Sequence, residues 1–212
     1  MKRLDKQFFE QPTTQLARQL LGCRFVHLSE FGTSSGWITE TEAYLHQDDS
    51  ASHSAKGLTN RNRSMFGPPG RLYVYSIHNR FCMNIVSESE GLGAAVLIRA
   101  IEPDCGIELM LLRRPTFKTH ELTNGPGKLC QALGISKLHD GVNLTTSQQL
   151  WLEEKSCETS FSIRTSSRIG IRQSQELPLR FFIDGNLYVS GRASDHSSPR
   201  RRTMQNNPRL GS

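Results

Sequence analysis

The spacing of apolar and polar residues predicts an antiparallel hairpin near the start of the chain. Residues 23–28 and 37–44 have the composition of strands, and the segment between them, Gly32-Thr33-Ser34-Ser35-Gly36, is rich in residues that favour turns. The same pattern predicts further strands at 72–77, 81–87, 94–101, 149–152, 161–172, 177–184 and 187–190, with the connection His78-Asn79-Arg80 between the first two.

Three segments have the apolar spacing and end signals of helices. Residues 13–21 carry one apolar stripe between capping threonines and a glycine. Residues 105–112 end before a proline, and residues 128–133 follow Asn124-Gly125-Pro126-Gly127, which supplies a cap and a first-turn proline. Because strands and helices do not alternate regularly, we predict an α+β fold with a mainly antiparallel sheet.

Length and charge predict one domain and a basic tail. We expect a domain over residues 1–191 and, because residues 192–212 have almost no apolar content, a disordered tail. The chain has 26 basic and 20 acidic residues, a net charge of +6, and the tail alone supplies +4. This balance favours a polyanionic partner only weakly. A phosphate grip, a nuclear address and an inert end remain alternatives for the tail.

The cysteines and the hydropathy exclude several classes of protein. The five cysteines include no Cys-x-x-Cys pair, which argues against a disulfide framework or a zinc knuckle, so we expect no metal and no cofactor. No apolar run reaches the ~18 residues that span a bilayer, and the charged first residues lack the apolar segment of a secretory signal. We expect no membrane partner, and a cytoplasmic location in a bacterium or a nuclear one in a eukaryote.

A carboxylate and an aromatic ring share one predicted strand face. Alternation places Ile38, Glu40, Glu42 and Tyr44 on the same side of the strand at 37–44. A general base beside a stacking platform and a solvated charged face are both compatible with this pattern, which alone favours the second.

Further candidate groups are also open to two interpretations. Tyr73 and Tyr75 lie on one strand face, where aromatic rings suit ordinary sheet packing or contact with a nucleobase. His53, Arg61 and Arg63 lie in the polar stretch of residues 45–70, between the strands predicted at 37–44 and 72–77. This stretch is longer than most loops without a function. The histidine is solvated or functional, and the arginines are candidate phosphate contacts.

Lys128 lies where a helix is predicted to begin. Backbone N–H groups and a lysine at this position suit an anion, although an ordinary helix start explains them equally well.

Seven short segments follow one another in a recognisable order: Glu40-Thr41-Glu42-Ala43-Tyr44, Ala51-Ser52-His53-Ser54, Arg61-Asn62-Arg63-Ser64-Met65-Phe66, Leu72-Tyr73-Val74-Tyr75, Phe81-Cys82-Met83-Asn84, Val96-Leu97-Ile98-Arg99-Ala100-Ile101-Glu102-Pro103 and Gly125-Pro126-Gly127-Lys128-Leu129-Cys130-Gln131-Ala132-Leu133. Together they resemble the alkyladenine (3-methyladenine) DNA glycosylase family over residues 13–190. One such motif is weak, whereas seven in order are very specific.

The resemblance implies a single α+β domain around a curved, mainly antiparallel sheet, with a hairpin that inserts into the DNA minor groove. It implies a monomeric enzyme of base excision repair. Because no lysine matches a Schiff-base nucleophile, the enzyme is expected to be monofunctional. The substrate would be double-stranded DNA containing 3-methyladenine, 7-methylguanine, hypoxanthine or ethenoadenine. The damaged base would be flipped out of the stack, because its glycosidic bond is otherwise hidden.

Roles for individual residues also follow from the resemblance. Glu42 would be the general base for the attacking water, and Arg99 would help to hold that water. Tyr44, His53 and Tyr75 would line the base pocket, with the two tyrosines stacking on the base at ~1–3 kcal/mol per contact.

Other positions match the family with different roles. Asn84 would disfavour normal guanine through its exocyclic amine, and Tyr73 and Leu97 would form walls of the pocket. His78 stands where the family usually has an intercalating tyrosine, and the connection is one residue shorter than in the vertebrate pattern. We expect His78 still to intercalate.

Two other functions remain as alternatives at this stage. A lesion-binding protein without activity could use the same scaffold, although it would not need both Glu42 and Arg99. An RNA-binding or formyltransferase-like accessory domain is the other alternative, since folds are shared more widely than functions.

Overall fold

The computed structural model describes residues 1–155 and 160–191, and this part of the chain has the predicted α+β fold. The predicted tail at 192–212 and Cys157 lie outside the described residues. The helices are α1 (Lys6–Phe9), α2 (Thr13–Gln19), α3 (Ile107–Arg113) and α4 (Pro126–Leu133). The strands are β1 (Arg24–Ser29), β2 (Gly32–Tyr44), β3 (Leu72–Ile77), β4 (Arg80–Val86), β5 (Ala95–Cys105), β6 (Leu150–Glu153), β7 (Ile163–Ser166) and β8 (Arg180–Ile183).

One curled antiparallel sheet, resembling half a barrel, forms the frame. Its main path is β3-β4-β5-β2-β1-β6, and β7 and β8 form a further hairpin beside β2. Along one edge of β2, residues 32–37 pair with β1 and residues 40–42 pair with β8. Strand β5 pairs along the other edge. The second half of β2 is therefore an interior strand of the sheet, and its residues Glu40 and Glu42 are buried.

A β-bulge in β2 determines which side chains face the core. The register with β5 shifts between Ile38 and Glu40, so Thr39 is an extra residue in the strand. The prediction that Ile38 shares the face of the glutamates was therefore wrong, because Ile38 packs in the main hydrophobic core together with Ala43. Glu40 and Glu42 form ion pairs with Arg99 on the opposite face.

Two predicted connections differ from the observed ones. Strands β1 and β2 pair as far as Ser29 and Gly32, so their turn is at residues 30–31 rather than at 32–36. The serines of the predicted turn are accommodated in the sheet because their hydroxyl groups have partners, such as Asp104 for Ser35 at 2.5 Å. Between β3 and β4 only His78 and Asn79 form the turn; their φ angles of 47° and 60° are those of a type I′ hairpin.

Other differences concern the ends of the chain. Helix α1 was not predicted, and the strand predicted at 161–172 is confined to β7. The strand predicted at 187–190 is wrong, because the backbone N–H of Ser190 donates to the Glu40 carboxylate instead of to a neighbouring strand. None of the helices among residues 1–155 and 160–191 has the length and apolar character needed to cross a membrane.

The main core lies between the helices and one face of the sheet. Leu16 of α2, Leu20 directly after it, and Leu129 and Leu133 of α4 are fully buried there. A second cluster lies on the opposite face and contains Met65, Tyr73, Val86 and Ala95, with Tyr44, Phe66 and Tyr75 packed against it. The aromatic residues predicted to line a pocket therefore share one region of the molecule.

Candidate active site

Glu42 lies in this region and is fully buried. One oxygen, Oε1, accepts a hydrogen bond of 2.7 Å from the backbone N–H of Ile169 and lies 3.2 Å from Nη1 of Arg99. The other oxygen, Oε2, accepts from the hydroxyl of Tyr44 at 3.0 Å. These three donors fix the orientation of the carboxylate.

The environment of Glu42 changes its acidity. Burial raises the pKa of the carboxyl group above its usual value, and Arg99 and the N–H of Ile169 only partly counteract this. A carboxylate with a raised pKa is a stronger base than an exposed glutamate. This property suits a residue that must take a proton from water near neutral pH.

Arg99 is held in place by a second glutamate. Its Nε lies 3.0 Å from Oε1 of Glu40, and Nη2 donates to the hydroxyl of Ser190 at 3.1 Å. Although burial opposes it, the charges of Glu42 and Glu40 raise the pKa of Arg99. In the pairing of β5 with β2, Ala100 lies opposite Glu40 and Ile98 lies opposite Thr41, so Arg99 between them has no partner residue. Such a bulge changes the direction in which a side chain points.

Sequence reasoning assigned no role to Glu40, Arg180 or Ser190. The Nε of Arg180 lies 2.6 Å from Oε1 of Glu40, and the N–H of Ser190 lies 2.6 Å from Oε2. Two acids and two arginines thus form one buried cluster in which the formal charges cancel. A signal for it was present, since Arg180 stands inside the apolar run Leu179-Arg180-Phe181-Phe182, and a buried arginine needs an acid.

Three aromatic side chains form one wall of the site. Nδ1 of His53 lies 2.8 Å from the hydroxyl of Tyr73, and its ring centroid is 4.5 Å from that of Tyr75. The two tyrosine rings are 5.6 Å apart. Burial raises the pKa of Tyr73 to about 12, and burial together with Arg61 lowers the pKa of His53. The imidazole and the phenol are therefore both neutral at pH 7.

Strand pairing brings Asn84 and Leu97 to the same wall. Asn84 lies opposite Tyr73 in β3 and opposite Leu97 in β5. Its side-chain N–H donates to the carbonyl of Tyr73 at 3.1 Å, which fixes the amide. Cys82 lies opposite Tyr75 and was missed as a wall residue; burial raises the pKa of its thiol, so it is an uncharged contact.

An ion pair supports the outer side of Tyr44. The guanidinium of Arg168 lies 4.6 Å from the centre of the Tyr44 ring and binds both carboxylate oxygens of Asp49, at 2.6 and 2.7 Å. Both charged side chains are fully buried. Neither residue was singled out from the sequence. The two residues are 119 positions apart, so their ion pair leaves no local sequence pattern.

The predicted DNA-backbone residues lie at the edge of the site or away from it. Arg61 donates to the carbonyl of Ser76 at 3.0 Å and is close enough to His53 to affect its pKa. Arg61, His53 and Lys56 line an open cleft of about 670 Å³, together with Arg172.

The other two residues predicted to contact DNA phosphates do not line this cleft. The exposed Arg63 donates to Asn60 at 3.2 Å. Lys128, on α4, donates to Asn124 at 2.8 Å, and burial lowers its pKa.

His78 is exposed at the tip of the β3–β4 hairpin, beside Ile77, which is 48% exposed. Within residues 1–155 and 160–191, no group of three or more histidines, cysteines and acids is arranged to hold a metal ion.

The fold and the site define a class of protein. A fixed, buried carboxylate beside a guanidinium, with neutral aromatic walls next to it, suits base-catalysed hydrolysis of a substrate that contains a flat ring. The model of the methylpurine-DNA glycosylase family matches residues 7–187. The chain belongs to this family.

Proteins from distant organisms show the same relationship. A protein of Rhodopirellula baltica is 48% identical over 206 residues, which cover 95% of this chain and 88% of that protein. A protein of Chlorobaculum parvum is 47% identical over 192 residues, covering 90% and 91% of the two chains. A protein of Methanoculleus marisnigri is 44% identical over 195 residues, covering 89% and 99%. The names of all three assign them to the 3-methyladenine DNA glycosylases.

The predicted family and class of enzyme are therefore confirmed: the chain is a DNA-3-methyladenine glycosylase, a hydrolase of N-glycosyl bonds that acts in base excision repair of alkylated DNA. Neither the non-catalytic alternative nor the RNA-binding one gains support from these comparisons.

Proposed function

We propose that Glu42 activates the water that releases the damaged base. The carboxylate takes a proton from water, the water oxygen bonds to C1′ of the deoxyribose, and the bond from C1′ to the purine nitrogen breaks. The purine leaves with the bonding electrons. The observation that carries this proposal is the fully buried Glu42 carboxylate, oriented by three donors, with a raised pKa.

The second part of the proposal concerns the substrate range, which we take to include 3-methyladenine, 7-methylguanine, hypoxanthine and ethenoadenine. Tyr44 and Tyr75 would stack on the flipped base, with His53, Tyr73 and Leu97 completing the pocket. Because these walls are neutral, they accept charged and uncharged purines alike. Positively charged alkylpurines leave readily, whereas neutral hypoxanthine depends more on the base, which contributes ~10²–10⁴-fold.

Asn84 would exclude normal guanine. Its N–H is already used by the carbonyl of Tyr73, and this bond holds the amide against the wall. The exocyclic amine of guanine, which adenine derivatives and hypoxanthine lack, would then meet a rigid side chain. Exchanging Asn84 for Ser should increase release of undamaged guanine relative to hypoxanthine.

Arg99 would help Glu42 to hold the water. Two of its three guanidinium nitrogens are bound by Glu40 and Ser190, which directs the remaining one, Nη1, towards Glu42. A water placed between these two side chains would meet both an acceptor and a positive charge.

Binding of the duplex would involve residues outside the pocket. We propose that Arg61, Arg63 and Lys128 contact backbone phosphates and that His78 enters the stack from the hairpin tip. We further propose that residues 1–191 form the catalytic domain and that the enzyme acts as a monomer.

The central experiment measures single-turnover release of hypoxanthine, ethenoadenine and 3-methyladenine from labelled duplex DNA. Wild type should leave abasic sites without cutting the strand. Glu42→Gln should still bind the lesion but release hypoxanthine at least ~100-fold more slowly. Gln is a close match because its amide can donate to the Tyr44 hydroxyl in place of accepting from it.

The outcomes distinguish the parts of the proposal. Wild-type rates in Glu42→Gln would remove this residue from the reaction. Release of 3-methyladenine alone by the wild type would restrict the substrate range to charged bases and leave the role of Glu42 to be tested on that base.

A further inference from the structure

A buried ion pair connects two parts of the site that are far apart in the sequence. Arg168 follows β7, and Asp49 belongs to the loop between β2 and β3. The side chains of both are fully buried and meet through two parallel hydrogen bonds of 2.6 and 2.7 Å. Such a two-point contact fixes the plane of the guanidinium as well as its position.

Arg168 also contacts the end of β2 directly. Its Nη1 donates to the carbonyl of Ala43 at 3.0 Å, and the guanidinium lies 4.6 Å from the centre of the Tyr44 ring. The Tyr44 ring is therefore supported on one side by a guanidinium group whose position is fixed. A stacking platform that cannot tilt loses less freedom when a base binds.

The residue that follows Arg168 reaches the reactive carboxylate. The N–H of Ile169 donates to Oε1 of Glu42 at 2.7 Å. Because this N–H belongs to the peptide bond between Arg168 and Ile169, fixing the arginine restricts the position of the donor. One side chain thus affects both the base platform and the general base.

Asp49 extends the connection to the loop that carries His53. Its carboxylate accepts from the N–H of Leu45 at 3.0 Å and from that of Ala51 at 3.2 Å. The loop between these residues is thereby folded around the acid. The ion pair links the segments that supply Glu42, Tyr44 and His53.

We infer that Arg168, held by Asp49, is a positioning residue for base excision, which sets the Glu42 carboxylate and the Tyr44 ring relative to each other. The inference rests on the proposed roles of these two residues. It goes beyond a role in stability, because it requires that loss of the pair slows the chemical step even in protein that is fully folded.

The test uses the double variant Asp49→Asn with Arg168→Met. Both charges are removed together, so no unpaired charge is left in the interior. The single oxygen of the asparagine can still accept from one of the two backbone N–H groups of its loop, and the methionine fills much of the arginine's volume. We expect the single-turnover rate constant for hypoxanthine, at saturating enzyme, to fall ~10–100-fold, as a small misplacement of reacting groups does.

The pH dependence of this rate constant separates positioning from stability. The Ile169 N–H lowers the pKa of Glu42, which burial raises, so loosening this contact should move the acid limb of the profile to higher pH. Glu42 also acts on the charge of Arg168, which the double variant removes, so Arg168→Lys, which keeps a cation there, measures the shift of the acid limb without that loss of charge. The other charged or titratable groups that act on Glu42, or on which it acts, are unchanged in both variants: Glu40, Tyr44, Tyr75, Cys82 and Arg99.

A control variant removes a partly buried ion pair away from the site. Arg24 on β1 lies 2.6 Å from Asp104, and we expect Arg24→Met with Asp104→Asn to lower the melting temperature while leaving the rate constant and the acid limb unchanged. If the double variant at 49 and 168 also shows a wild-type rate and profile, the pair is structural only and the inference is wrong.

Two further outcomes remain interpretable. If the double variant does not fold, Arg168→Lys carries the test, because lysine keeps a cation beside Asp49 but loses the planar, two-point contact. A wild-type rate and profile in Arg168→Lys would overturn the inference. If the wild type itself releases no base, the proposed function fails instead, and the result is recognisable from the same assay.

Discussion

Replacing Glu40 by Gln should destabilise the protein more than the same change at Glu42, although both side chains are fully buried. The reason is the chemistry of their partners. Among the residues that the structure describes, Glu40 accepts only from Arg99, Arg180 and the N–H of Ser190, which cannot act as acceptors. A glutamine amide at position 40 would place its own N–H groups against one of these donors.

At position 42 the amide fits. Its oxygen can replace Oε1 and accept from Ile169 and Arg99, and its N–H can donate to the hydroxyl of Tyr44, which then acts as acceptor. The change also removes a carboxylate whose pKa burial has raised. We therefore expect Glu42→Gln to lower the free energy of unfolding less than Glu40→Gln does, because the amide keeps its hydrogen bonds and Arg99 keeps its ion pair with Glu40.

The cost at position 40 is larger. Glu40→Gln loses a hydrogen bond to a charged acceptor, worth about 1.5–3 kcal/mol, and removes the acid that Arg180 binds, while Arg99 keeps Glu42. Removing one partner from a buried ion pair typically costs about 3–5 kcal/mol in total. In a chain of this size such a loss corresponds to a melting temperature lower by about 10 °C.

Urea unfolding at pH 7 and thermal melting followed by circular dichroism would measure both variants. Single-turnover release of hypoxanthine should fall in both, since Glu40→Gln frees Nε of Arg99 and Glu42→Gln removes the base. Equal destabilisation by the two changes, or a greater loss at position 42, would refute the argument from donor and acceptor matching.

Three further predictions concern pH, the hairpin and salt. In the proposed mechanism the Glu42 carboxylate takes a proton only when it is ionised, and burial raises its pKa, so hypoxanthine release should decline on acidification with a midpoint above the ~4.3 of a free glutamate; a rate constant independent of pH down to that value would contradict this. His78→Ala should slow excision from duplex DNA but not from a single-stranded oligonucleotide, since a wedge acts only where a stack must open, and equal loss on both substrates would exclude it. Alanine at Arg61, Arg63 or Lys128 should each reduce the slope of log affinity against log salt by ~0.9, and an unchanged slope would remove that residue from the interface.

Local patterns in the sequence were sufficient for much of the frame. Strand β3 has the predicted bounds, and the helix predicted from its proline and terminal glycine is α4. The shared face of Glu42 and Tyr44 also follows from alternation within one strand. Alternation failed at Ile38, because a single extra residue in a strand exchanges its two faces and no residue type requires such a bulge.

The supporting residues of the site could not be predicted in this way. Glu40 meets Arg180 and Ser190 across 140 and 150 positions, and the pairing of β8 with β2 brings these residues together. The family motifs pointed to Glu42, Arg99 and the aromatic wall, since these residues lie within recognisable segments. They did not indicate what fixes these side chains.

The two glutamates of β2 show why residue type alone does not assign a role. Glu40 and Glu42 are two positions apart, are equally buried and both contact Arg99. Every partner of Glu40 is a fixed donor, so its carboxylate serves to hold Arg99 and Arg180. Glu42 has one oxygen against a hydroxyl that can reverse its hydrogen bond, which leaves this carboxylate free to exchange a proton. The difference between a supporting acid and the proposed general base therefore lies in the partners that the fold supplies.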